Sequence, residues 1–118
     1  MRFVLALLVF FSSFANADEW TKHDTDRQAA LTALLVADWG QTRWIAKNPS
    51  ESLEKNPLLG SSPSLGRVNA YFATSIIGHA AISYMLPKNW RHGWQYVWIG
   101  IEIETVRHNR SIGVKMDF

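Results

Sequence analysis

Cysteine is absent from the 118 residues of this chain. Its absence excludes disulfides, thiol catalysis and zinc–thiolate sites. A long run of one charge is also lacking, because 12 Lys and Arg residues and 10 Asp and Glu residues are scattered along the sequence. The basic residues form no stripe of the kind that binds nucleic acid, so we expect no nucleic-acid partner.

Several catalytic signatures are missing as well. The sequence contains no GxSxG nucleophile turn, no HExxH pair and no glycine-rich phosphate loop. We therefore expect no cofactor, and we favour a binding function over an enzymatic one.

The first 17 residues have the pattern of a secretory signal peptide. Arg2 supplies a positive charge, residues 3–11 form an unbroken apolar run, and Ala15 and Ala17 are the small residues that precede a cleavage site. We expect cleavage before Asp18, followed by export. The alternative is an uncleaved N-terminal anchor, although the apolar run is short for a membrane span.

Residues 18–118 predict one all-α domain of three helices with a short extended C-terminal tail. In the first helix, apolar residues recur at intervals of three and four, which is helical periodicity. Prolines and glycines then cluster in residues 48–66 and predict a linker. The helices are expected at about 27–46, 63–86 and 90–108, and the tail at 111–118.

The second helix is the best candidate for a membrane span. Between Val68 and Leu86, 19 residues pass without a Lys, Arg, Asp or Glu. Polar residues dilute this run, however, and a helix buried in a small bundle would have the same composition. Both settings stay open at the level of sequence.

The third segment has two interpretations. Residues 99–104 (IGIEIE) alternate as a strand would, which favours a β-hairpin that turns near residues 108–110. Trp90, Trp94 and Trp98 lie four residues apart, which makes a continuous stripe on a helix but not on one face of a strand. We predict the helix.

Three ionisable residues interrupt apolar helix faces. Asp38 lies in the middle of the leucine face of the first helix, His79 lies in the uncharged second helix, and Glu102 has inward-pointing neighbours in the third. A buried charge is unfavourable unless it is paired or neutralised. We therefore predict one buried polar cluster, consisting of Asp38, Gln41, Thr42, Asn69, His79 and Glu102.

This cluster has three interpretations. It could orient the helices through hydrogen bonds, which is the one we favour. Two carboxylates and an imidazole also suit a divalent metal ion, although no motif spacing supports one. Asp38 and His79 could instead form a general acid–base pair.

The tryptophans also have two interpretations. Their rings combine an apolar body with one N–H donor, which is typical of residues at a bilayer interface. A tryptophan-rich core is the alternative. The residues concerned are Trp39, Trp44, Trp90, Trp94 and Trp98.

Two short motifs resemble a loose group of small, uncharacterised helical membrane proteins. One is D-x-x-x-T, formed by Asp38 and Thr42, and the other is an E-x-N-P loop, formed by Glu54, Asn56 and Pro57. The match covers about residues 31–86. The resemblance implies a helical membrane domain in which these five residues are the characteristic polar positions, and it implies no activity.

The leading hypothesis is an exported, membrane-associated helical protein of the cell envelope that acts by binding. Its partner would be membrane lipid or another envelope protein, and self-association is a further option. The alternative is a periplasmic enzyme or metal-binding protein that uses Asp38, His79 and Glu102.

Overall fold

The computed structural model describes residues 19–49, 58–60 and 62–118. The expected signal peptide and the loop motif of Glu54, Asn56 and Pro57 lie outside the described residues. The described part contains three helices and no strand: α1 (Lys22–Lys47), α2 (Leu65–Met85) and α3 (Lys88–Ser111). The all-α prediction is confirmed, and the β-hairpin alternative is wrong.

Helix α1 begins five residues earlier than its apolar periodicity predicts. Thr21 and Asp24 form a reciprocal cap, in which the Asp24 N–H donates to the Thr21 hydroxyl and the Thr21 N–H donates to the Asp24 carboxylate. This arrangement satisfies two backbone donors that a helix start otherwise leaves free. The cap therefore extends the helix over a polar stretch that lacks the apolar signal.

Helix α1 is the central element, because it packs against both other helices while α2 and α3 touch each other much less. Ser64 caps the start of α2 by accepting the Arg67 N–H at 3.2 Å. A short turn at Leu86 and Pro87 then reverses the chain into α3. This geometry holds α2 and α3 together near the turn and leaves them apart at their other ends.

The apolar core is small. Leu59, Val68 and Phe72 form a buried cluster, against which Trp39 and Tyr71 pack. Among the described residues, buried polar or charged side chains are at least as numerous as buried apolar ones: Asp24, Gln28, Asp38, Gln41, Thr42, Ser83, Arg91, Gln95 and Glu102. Polar contacts between helices therefore contribute much of the specificity of this fold.

Large apolar side chains are exposed on α2 and α3, among them Ile77, Tyr84, Trp90, Tyr96 and Val97. Even so, none of the helices in the described ranges has the length and apolar character needed to cross a membrane. The interpretation of residues 68–86 as a membrane span is therefore not supported.

The C-terminal tail returns to the middle of α1. The Asp117 N–H donates to the Gly40 carbonyl at 2.9 Å, and the Asp117 carboxylate pairs with Arg43 and Lys47. Gly40 permits this approach, because a Cβ atom at that position would lie 2.4 Å from the Phe118 ring. The tail is thus extended and packed on the bundle.

Candidate functional site

Two carboxyl groups meet between α1 and α3. Asp38 is 9 % exposed and Glu102 is 7 % exposed, and their side chains share a hydrogen bond. One turn further along α1, the Thr42 hydroxyl donates to Asp38 Oδ1 at 3.2 Å. Three members of the predicted cluster are therefore in direct contact.

This pair lies in the wall of a cleft of about 570 Å³. The cleft opens where α2 and α3 separate, and α1 lines its side. Its apolar lining includes Leu35, Tyr71, Phe72, Trp98 and Ile101. A volume of this size, with an aromatic lining and a few polar groups, is typical of small-molecule sites.

The pKa of Glu102 is raised from its ordinary 4.5 to about 9. Burial is the main cause, because it disfavours the charged form, and the nearby charge and hydrogen bond of Asp38 add to the effect. At neutral pH the two carboxyl groups therefore hold one proton between them and carry one negative charge.

Two buried polar atoms at the cleft have no hydrogen-bond partner: Glu102 Oε2 and His79 Nδ1. Burial also lowers the pKa of His79, so its ring is neutral at pH 7. The ring packs against Trp94 and Trp98, with centroid distances of 5.2 and 4.6 Å. His79 thus belongs to the cleft but not to the hydrogen-bonded carboxyl pair.

The cleft has an acidic lining. Glu104 lines it together with the carboxyl pair, and the described lining residues include no lysine or arginine. Glu104 itself pairs with Arg107 on the outer surface of α3. The negative charge of the carboxyl pair therefore lies in the acidic part of this lining.

The prediction of one six-residue cluster was wrong for Gln41 and Asn69. Gln41 donates to the Val106 carbonyl and accepts from Asn109, which ties α1 to the last turns of α3. Asn69 accepts hydrogen bonds from Trp39 and Arg43. Arg43 holds Asn69 away from Asp38, because positions 38 and 43 point to different sides of α1. Gln41 lies one turn from Asp38, but its amide bonds further along α3 than Glu102.

A second buried network, which the sequence reasoning missed, lies at the opposite end of the bundle. Arg91 and Asp24 are both fully buried, and their side chains are 3.0 Å apart. Arg91 also donates to the carbonyls of Ser83 and Leu86, at the end of α2. The only signal in the sequence was the four-residue spacing of Arg91 and Gln95, which places two polar residues on one helix face.

The five tryptophans do not form a common exposed belt. Trp39 stacks on Phe72, Trp94 and Trp98 contact His79, and Trp44 is half-buried. Trp90 alone of the five is exposed. Their grouping as interfacial aromatics is therefore wrong for the rings that pack inside the bundle.

In the described ranges, no group of three or more His, Cys, Asp or Glu side chains is placed to hold a metal ion.

Comparison of the chain with protein-family models, with curated proteins and with solved structures gave no match.

Proposed function

We propose that this protein acts by binding a ligand in the cleft between its three helices. The observation that carries the proposal is the pair of buried, unpartnered polar atoms, Glu102 Oε2 and His79 Nδ1, in an otherwise apolar and aromatic wall. A buried polar atom without a partner costs about 1–3 kcal/mol. A ligand that supplies the missing partners recovers that free energy on binding.

The rigidity of the lining also supports binding. All of its described side chains except Leu58 and Ile112 come from the three helices, so most of the cleft wall is in place before a ligand arrives. A preformed site loses little conformational entropy on binding.

A blocking substitution tests this function. Ser75 lines the cleft, whereas its neighbour Thr74 is exposed on α2 outside it. Small-molecule fragments screened by amide NMR should shift signals of cleft residues in the wild type. Ser75→Trp should abolish those shifts because the indole fills the cleft, and Thr74→Trp should leave them in place.

Two results would contradict the proposal. One is a fragment screen in which no cleft residue shifts. The other is binding that survives in Ser75→Trp with unchanged affinity, provided that the melting temperature confirms a folded variant.

We also propose that the protein is exported and works in the cell envelope, in peripheral contact with lipid or with an envelope protein. The pattern of residues 1–17 and the exposed apolar side chains of α2 and α3 support this location. The intact mass of the protein recovered from cells should correspond to a chain that begins at Asp18. A retained Met1 would contradict export by this signal.

A further inference from the structure

We propose that the cleft ligand is a small organic amine, whose protonated ammonium group binds Asp38 and Glu102 while its apolar body lies against the aromatic lining. The inference rests on the proposed binding function of the cleft. It adds the chemical class of the ligand.

The charge of the site favours a cation. Asp38 and Glu102 together hold a negative charge in a buried wall, where electrostatic attraction is stronger than in water. The titratable groups that line the cleft beside the pair are the neutral His79 and Tyr71 from α2, and His108 and Glu104, which pairs with Arg107, from α3. An ammonium group that enters the cleft therefore meets acceptors on the α1 and α3 sides.

The unpartnered oxygen favours an N–H donor over a cation without one. Glu102 Oε2 is buried, belongs to a residue that is 7 % exposed, and accepts no hydrogen bond. A primary ammonium can donate to it and to Asp38 at the same time, and such charge-assisted bonds are about twice as strong as neutral ones. A quaternary ammonium carries the same charge but leaves Oε2 unsatisfied.

The rest of the lining favours an organic ligand over a bare metal ion. The cleft is far larger than one hydrated ion requires, and Tyr71, Phe72 and Trp98 supply apolar and aromatic surface beside the carboxyl pair. Aromatic faces also attract cations through their quadrupoles.

Binding of the ammonium displaces the proton that the two carboxyl groups share. The Glu102 carboxyl group releases this proton to solvent, and the ammonium N–H takes its place at the oxygen atoms. No covalent bond is made or broken in the ligand. Affinity should consequently rise with pH between 7 and about 9, because less free energy is then needed to remove the proton.

Three organic probes of similar size and one bare metal ion separate the contributions of charge, N–H donors and aromatic surface in calorimetric titrations of the purified protein. They are 2-phenylethylammonium, its N,N,N-trimethyl analogue, the neutral 2-phenylethanol and calcium ion alone. We expect the primary ammonium to bind at least about tenfold more tightly than the alcohol and the trimethyl analogue. A blocked lysine peptide tests whether the same ammonium chemistry is recognised on a protein side chain instead of a free amine.

Glu102→Gln should weaken binding of the primary ammonium at least about tenfold and leave binding of 2-phenylethanol nearly unchanged. Asp26→Asn is the matched control, because Asp26 is an exposed carboxylate that pairs with Lys22 at the far end of α1. Melting curves establish that both variants are folded.

The outcomes distinguish the two proposals. Equal affinity for the alcohol and the ammonium, or tighter binding of calcium or of the trimethyl analogue, overturns the amine inference while cleft binding stands. Failure of every probe, together with an empty fragment screen, overturns the proposed binding function as well.

Discussion

Glu102 and Asp38 place two carboxyl groups within hydrogen-bond reach of each other in a wall that water barely touches. Such a pair opposes folding at neutral pH, because one carboxyl group must keep a proton that it would lose in the unfolded chain. Helix registry alone does not require this arrangement, since a buried amide would serve as well. A buried ionisable pair that lowers stability and has a shifted pKa is typical of functional sites.

The pH dependence of stability follows from the raised pKa of Glu102. The folded value, about 9, lies above the ordinary 4.5, so the native state holds a proton that the unfolded chain has lost between these limits. The free energy of unfolding should therefore fall as pH rises through this window, by about 1.4 kcal/mol per pH unit. The range from pH 7 to 8.5 isolates the effect, because the lowered pKa of His79 affects stability only at lower pH.

Glu102→Gln removes the titrating group and keeps its shape. Urea denaturation at pH 7 and 8.5 should show the wild type losing about 2 kcal/mol relative to this variant. The variant should also be the more stable protein at pH 8.5. If the free energy of unfolding changed equally with pH in the two proteins, the pKa of Glu102 would be near its ordinary value of 4.5.

The sequence was sufficient to identify Asp38, His79 and Glu102 as unusual, because each is polar on an apolar helix face. It was not sufficient to assign their contacts. The bond between Asp38 and Glu102 depends on how α3 crosses α1, and the separation of His79 from that bond depends on the distance between α2 and α3. These are tertiary distances that helical periodicity does not contain.

Helix α3 packs on α1 with its polar side. Arg91, Gln95 and Glu102 form its buried face, while Tyr96, Val97, Ile101 and Ile103 are exposed. A hydrophobicity pattern read alone points the apolar side inward. The polar side faces inward here because α1 offers Asp24, Gln28 and Asp38 as partners along the contact.

Arg91 joins the start of α1, the end of α2 and the start of α3. It pairs with Asp24, which also accepts a bond from Arg27, and it donates to carbonyls that the end of α2 leaves free. Hydrogen bonds from Thr21 and the charge of Arg91 hold the pKa of Asp24 below its ordinary value, although burial acts in the opposite direction. Its burial was not foreseen, since an arginine beside Trp90 and Lys88 usually extends into solvent.

Arg91→Leu should destabilise the protein by about 3–5 kcal/mol, because Asp24 would lose its fully buried cationic partner and the carbonyls of Ser83 and Leu86 would lose a donor. Arg110→Leu, an exposed arginine on the same helix, should change stability by less than about 0.5 kcal/mol. Urea denaturation of both variants at pH 7 provides the comparison. A loss of under 1 kcal/mol in Arg91→Leu would show that this network is dispensable.

As a whole, the described part of the molecule is a bundle joined by polar contacts, with a cleft where two helices separate. Arg91 and its ion pair with Asp24 join the helices at one end of the bundle. Asp117 pairs with Arg43 and Lys47 and attaches the tail to α1, and the carboxyl pair lies between these two sets of contacts. These contacts join the helices and the tail around the cleft.

The most direct test is a ¹³C NMR titration of the Glu102 side-chain carboxyl carbon, without and with saturating 2-phenylethylammonium. We expect a midpoint near pH 9 in the free protein and a clearly lower midpoint when the amine is bound. A free-protein midpoint near 4.5, unmoved by the amine, would contradict both the shared proton and its displacement.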